Sequence, residues 1–519
     1  MLSLFLIGCD PWDLPDGGYQ FIESTWDPAV VAASDGVYVR LPHAGQLVRV
    51  KPDGTWSQVD LDGATPEKLI PTDSGNGLFV VASWPVCDDD DPLVVNVDDC
   101  PGEKLSTEYE VALVQDGKRV GNAALDGVAP QVNAAVYSHD GEMAALYLDY
   151  NGEEIVVDGF VNLNEVAFVN LGSGSVNRVA VGFAPETILF TGDDKRAVIL
   201  SRSQVAVVNL ESASEDCEAW DVCVTYPLTL DADQAVVPNN VVLVADGSYA
   251  LVSITSKKDV YVLDLVNESI DLLELDNVPS AMAVDEANDR TVFVYDSAAR
   301  IDVVEHEFFE LSSFSTDEPA TSVVATSVGM LAYNDQNYHD VVTFDAATGD
   351  WHEQRAENPV MELLVAEHYA VATMRPDNYT SGSGTSAFYD ENYGFGIFPL
   401  SPVTGDDPID AISLVLESEP VGLALSADDE GEYALLLLDG VDTLLKVNLG
   451  NASADEISLE APPIGIQNSP DGRFIVTGDT GVGMLSFVDP VDNGVVTVAG
   501  FATSGLAAPA VLPRREEKE

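Results

Sequence analysis

Short runs of apolar residues, closed by turn residues, recur along nearly the whole chain. Residues 237–275 show the pattern most clearly. Val241-Val242-Leu243-Val244 is apolar at every position, as suits an inner strand covered on both faces. Asp246-Gly247 then predicts a tight turn, because glycine accepts a positive φ without a Cβ clash. Tyr249 to Ile254 reads as a second strand, Lys257-Lys258-Asp259 as a turn and Val260 to Leu263 as a third strand. Asp264 follows, Asn267-Glu268-Ser269 turns the chain, and Ile270 to Leu275 reads as an outer strand. Residues 469–498 repeat the scheme, and no long amphipathic helix interrupts it. The pattern is all-β.

One marker recurs at the end of the third run: an apolar residue, then Asp or Asn, then usually another apolar residue. It occurs as Val169-Asn170-Leu171, Val208-Asn209-Leu210, Leu263-Asp264-Leu265, Phe344-Asp345-Ala346, Val447-Asn448-Leu449 and Val488-Asp489-Pro490. Looser copies are Val50-Lys51-Pro52, Val114-Gln115-Asp116, Val304-Glu305-His306 and Phe398-Pro399-Leu400. From 209 onward, successive copies lie 40 to 55 residues apart. A unit of about forty residues is the period of four-stranded propeller blades. The expected fold is therefore a β-propeller of four-stranded blades over 28–500, closed as one ring. The markers count ten units, whereas such rings typically hold about 4–8 blades, and seven or eight is the usual expectation. Residues 10–27 read as a tether and 501–519 as a solvated tail.

Ser469-Pro470-Asp471-Gly472-Arg473-Phe474-Ile475-Val476-Thr477 resembles the YVTN-type repeat of WD-repeat-like propellers. Leu485-Ser486-Phe487-Val488-Asp489 resembles the valine-rich strand of the same repeat. The other units match loosely, and the Gly-His and Trp-Asp signature of WD repeats is missing. The resemblance implies a fold and little about activity.

Leu6-Ile7-Gly8-Cys9, after an apolar run from Leu2, resembles a bacterial lipobox, in which the cysteine receives the lipid. The run is short and no Lys or Arg precedes it, an arrangement expected if translation starts upstream. On this reading residues 1–9 are a truncated signal with its lipobox, and the mature chain begins at Cys9. It works outside the cytoplasm, held to the bacterial envelope by its lipid, at the outer membrane or cell surface. Four other cysteines form two local pairs, Cys87 with Cys100 and Cys217 with Cys223. In an oxidising compartment such pairs are expected as disulfides; neither has C-x2-C zinc spacing.

Charge changes the picture further. The chain of 519 residues carries 88 acidic and 22 basic side chains, a formal charge of −66, with only nine lysines. Yet 46% of residues are hydrophobic, so this is a folded protein with an acidic shell rather than a disordered acidic chain. Such a shell repels nucleic acid and anionic headgroups, since binding either needs clustered Lys or Arg. The composition resembles that of proteins from salt-adapted organisms.

Three insertions break the repeat: 84–106, 211–223 and 375–396. The first holds Asp88, Asp89, Asp90, Asp91, Asp98 and Asp99, a candidate calcium site by ligand type though not by EF-hand spacing. The third holds Phe388, Tyr389, Tyr393 and Phe395, candidate contacts for a glycan or peptide. No H-E-x-x-H, G-x-S-x-G or phosphate-cradling glycine motif occurs, so no catalytic residue is assigned. The sequence points to a lipid-anchored binding scaffold for an envelope protein, peptide or glycan, with the lipid as its one membrane contact. The alternatives are a propeller enzyme, lactonase-like or redox, with a channel-top site, and a subunit of an envelope assembly complex. Self-repulsion in the acidic shell predicts a melting temperature that rises from dilute buffer to molar NaCl; a flat or falling dependence would contradict it.

Overall fold

The computed structural model describes residues 30–41, 45–71, 77–87, 105–124, 132, 134–148, 164–173, 175–202, 204–211, 222–229, 236–336, 338–376, 392–401, 410–428, 431–469, 472, 474–478, 484–499, 501 and 510–511. Their strands form ten antiparallel sheets in chain order, spanning 30–59, 65–124, 134–180, 185–227, 238–274, 281–315, 322–355, 360–415, 420–458 and 463–511. Each is a blade of four consecutive strands, here A to D, hydrogen-bonded in the order A-B-C-D. The tenth carries a fifth strand, Ala510–Val511, inside the stretch expected to be tail. The chain is a multi-blade propeller, with the larger of the two blade numbers considered from sequence.

Ten apolar clusters account for the ring, one between each pair of neighbouring blades. Val31, Tyr38 and Leu47 of blade 1 pack on Leu78 and Val80 of blade 2. Val198 and Tyr226 of blade 4 pack on Ala250 and Val252 of blade 5. Leu331 and Val341 of blade 7 meet Ala370 and Phe398 of blade 8. The series ends where it began, because Val37, Val39 and Val48 of blade 1 pack against Leu485, Phe487 and Val498 of blade 10. There the Ala32 amide donates to Gln467 Oε1 at 3.2 Å. Strands A of neighbouring blades adjoin, so they form the inner ring and strands D the rim.

Blade 5 shows why its sequence folds this way. In strand A (Pro238–Val244), Val241 and Leu243 face blade 4 while Val242 and Val244 face blade 6, so both faces are covered as its apolar run requires. Strand D (Ser269–Glu274) lies at the rim and is exposed at nearly every position.

The recurring marker has a physical basis. All ten copies fall at the ends of the ten C strands. Where the residue is Asp or Asn, its side-chain oxygen accepts amides of the following C–D turn. Asp264 Oδ1 takes Val266 and Asn267, Asp345 Oδ1 takes Ala347 and Thr348, and Asn448 Oδ1 takes Gly450 and Asn451. These are Asx turns, which satisfy turn amides locally. The turn's next carbonyl is left to face the preceding blade. Arg196 of blade 4 donates to Leu265 O at 2.8 Å, Arg290 of blade 6 to Ala346 O, and Lys446 of blade 9 to Pro490 O. Scarce cations thus sit at blade-to-blade contacts. Glycine matters where strand B opens beside the marker: a Cβ at Gly36 or Gly329 would meet Val50 O at 2.6 Å or Phe344 O at 2.7 Å.

Truncation at the seam between blades 10 and 1 tests the closure. Phe487→Ala should cost about 3–5 kcal/mol in urea unfolding, as for other large buried side chains; a loss under about 1 kcal/mol would mean that Phe487 is not packed there.

Candidate functional site

Up-and-down connectivity sorts the loops. The A–B and C–D turns lie at one face of the ring, and the B–C and D–A connections at the other. Three B–C connections are far longer than the rest. In blade 2 the gap runs from Cys87 to Leu105, in blade 3 from Tyr147 to Glu165, and in blade 8 from Met374 to Gly394. All three leave from the same side, hereafter the insertion face. In blade 2 the two strands continue past their neighbour: strand A reaches only Ser83, while B and C stay paired as far as Cys87 and Leu105. A two-stranded arm therefore stands above the sheet. The insertion at 211–223 joins strands C and D of blade 4 and leaves from the opposite face.

Six A strands begin with a bulge at the insertion face, between Pro66 and Lys68, Pro185 and Thr187, Pro238 and Asn240, Val360 and Glu362, Pro420 and Gly422, and Pro463 and Gly465. Five of these begin at proline, which has no amide to give the ladder.

One group of ionisable residues on this face is in blade 7. Glu318 comes from the connection that enters the blade, Asp340 opens strand C (Asp340–Phe344), and Glu353 and Arg355 close strand D (Trp351–Arg355). Glu318 Oε2 accepts the His339 and Asp340 amides at 2.9 and 3.2 Å. Arg355 reaches Asp340 Oδ1 at 3.0 Å and Glu318 Oε1 at 3.7 Å. Glu353, on the neighbouring strand D, adds another carboxyl beside Asp340. Burial, then the Glu318 and Glu353 charges, push Asp340 up to about 7 against the pull of Arg355. Hydrogen bonds tie the adjoining residues: Asn334 donates to Pro319 O at 3.1 Å and accepts the Gln336 amide at 2.8 Å, and Thr321 donates to Asp335 at 2.7 Å. A carboxyl raised this far beside an arginine can hold or exchange a proton near neutral pH.

On the opposite face, Glu367, His368 and Glu432 bring one ligand atom each within 4.8 Å of the others, a set that suits a transition metal. His368 Nδ1 lies 3.0 Å from Glu432 Oε1, and that carboxylate also takes the His368 amide. The hydrogen bond and charge of Glu432 hold the imidazole above its ordinary value. His139 of blade 3 makes the same arrangement with Asp194 of blade 4, at 2.8 Å through Nδ1 and 2.9 Å through its amide. The shared geometry is a strap between blades. At the rim, a cleft of about 690 Å³ lies between blades 1 and 2, lined by Gln58, Asp60, Asp62, Lys118 and Arg119. Its arginine is already paired with Glu110 at 2.6 Å and Asp62 at 3.1 Å.

The residues singled out from sequence fare unevenly. Cys9, Cys100, Cys217, Asp88 to Asp91, Asp98, Asp99, Phe388 and Tyr389 lie outside the described residues. Cys87 ends strand B of blade 2, and Cys223 is disulfide-bonded. Phe395 corrects an expectation. It is fully buried in strand C of blade 8 (Gly394–Pro399), between blades 8 and 9, so its ring is core and faces no ligand. Tyr393 is half-buried against the same cluster. The blade 7 carboxyls and the Glu367, His368 and Glu432 set were not singled out. Their members come from separate strands or blades, and no linear spacing marks them.

No family model and no curated protein matches the chain. Solved structures similar to it include dihydro-heme d1 dehydrogenase NirN in complex with DHE (TM-score 0.41, 11% identity, covering 67% of this chain and 71% of that one). Others are the Myceliophteria thermophila Cps50 (Swd1) β-propeller domain (0.34, 10%, 68% and 95%) and the Neurospora crassa Pan2 WD40 domain (0.30, 11%, 60% and 84%). These likenesses carry nothing about activity.

The sign of the Asp340 shift gives a pH test. Folded Asp340 keeps its proton up to about 7, whereas the unfolded chain loses it in the ordinary carboxylate range. Between those limits the native state binds more protons, so this group's contribution to stability falls as pH rises. Asp340→Asn should therefore be more stable than wild type at pH 8 and flatten the decline between about pH 4 and 7. An unchanged pH profile would refute the assignment.

Proposed function

We propose that the protein is an extracytoplasmic binding scaffold, tethered through a lipidated Cys9, whose insertion face engages a protein of the cell envelope. The observation that carries the reading is the departure of all three long B–C connections from one side of a closed ring. Loops on a rigid scaffold are where recognition groups are usually placed. The lipobox-like Leu6-Ile7-Gly8-Cys9 supports the tether, and the paired cysteines support an oxidising compartment. The YVTN-like repeat accords with a structural ring. A second reading, a hydrolase, draws on Asp340, a buried carboxyl beside Glu318 and Arg355 whose pKa is pushed up toward the range of a general acid.

Two measurements test the scaffold. A labelled fatty-acid precursor should enter the wild type and not Cys9→Ser. A photo-crosslinking residue at exposed Phe183 or Val278, both in D–A connections on the insertion face, should trap the same partner in intact cells. The same probe at Val491, a still more exposed C–D turn residue, should not. Adducts at Val491 alone, or no label in the wild type, would overturn the reading.

A further inference from the structure

Among the described residues, strand D of blade 5 (Ser269–Glu274) is the longest D edge that pairs with its neighbour without a bulge. It is six residues long and pairs one-to-one with strand C, from Asp259↔Glu274 to Asp264↔Ser269, without a bulge. The D strands of blades 2 and 4 are broken by bulges, and those of blades 1 and 8 are only four residues long. The Leu275 amide donates to Lys258 O, which sets the hydrogen-bond phase. The backbone groups of residues 269, 271 and 273 therefore face strand C, and those of Ile270, Leu272 and Glu274 face outward. Two of these outward positions carry exposed apolar side chains, Ile270 at 37% and Leu272 at 62%. Open edges with apolar positions are templates for an added strand.

The molecule contains its own precedent. In blade 10 the corresponding edge is taken: Ala510 and Val511 pair antiparallel with Ala499 and Val498 as a fifth strand. A D-strand edge of this ring is thus geometrically able to accept one more strand.

Charge selects what could fill the blade 5 edge. Glu268, Asp271, Glu274 and Asp276 are all exposed there, with Lys258 paired to Glu274 at 2.5 Å. A second copy of the same strand would set these carboxylates against one another, which opposes self-pairing. An incoming strand with basic residues between apolar ones would meet carboxylates and apolar surface together.

We propose that strand D of blade 5 is a strand-addition site for an extended segment of a partner protein, alternating apolar and basic residues. The main-chain ladder supplies affinity, Ile270 and Leu272 supply apolar contact on one face, and Asp271 on the other face selects positive charge. The site is at the rim and is independent of the insertion face.

The test uses a synthetic peptide of about seven residues alternating valine and lysine, a typical strand length. It is titrated against the full chain and against Ile270→Lys/Leu272→Lys, a pair of exposed positions whose replacement leaves the core untouched. The expected result is saturable binding that weakens with added salt and protects the Ile270, Leu272 and Glu274 amides from hydrogen exchange. The double variant, and a peptide N-methylated at alternate residues, should each weaken binding at least about tenfold. No binding, or binding indifferent to N-methylation, would overturn the proposal. Concentration-dependent dimerisation lost in the double variant would overturn it in favour of self-association.

Discussion

The structure depends on one repeated contact, the apolar face of one sheet laid against the next. Each blade alone is a small four-stranded sheet with two apolar faces, which water would not tolerate. Ten such sheets in series leave two uncovered faces, and only a ring removes both. The clusters show that this is what happens: Val39 and Val48 at the start of the chain meet Leu485 and Phe487 near its end. The acidic shell follows from the same geometry, because apolar area is concentrated between blades and carboxylates are left for the rim and the two faces. Three of the few cations, Arg196, Arg290 and Lys446, reach from one blade to a carbonyl of the next.

Order within the ring comes from local hydrogen bonding. An Asp or Asn at the end of strand C closes its own turn and presents a carbonyl to the blade before it. One residue type thus serves both the hairpin and the ring. This explains why the marker was visible in the sequence at six C strands. At the four looser copies, where Lys51, Gln115, Glu305 or Pro399 takes that place, it is the apolar run before it that marks the strand end, and the two signals together made the count of ten legible.

The candidate sites were much less legible. Glu318, Asp340 and Glu353 converge from an entering connection and two strands, and His368 meets Glu432 from another blade. A linear reading has no spacing to detect in such sets. Phe395 was misread for a different reason. It follows a Gly- and Ser-rich stretch, which looks like a loop, yet strand C has already begun at Gly394 and the ring turns inward. The face from which each insertion departs was implicit in the strand count, but only once every strand had been placed.

Among the described residues no strand is exchanged across the junction of the first and last blades, and the strands of each sheet are consecutive in the chain. Adding or losing a unit therefore breaks no hydrogen-bonded ladder, and needs only two compatible apolar faces at the new neighbour. The width of the central opening is, in consequence, a trait that tandem duplication can enlarge or shrink in single steps, with the remaining architecture carried over intact.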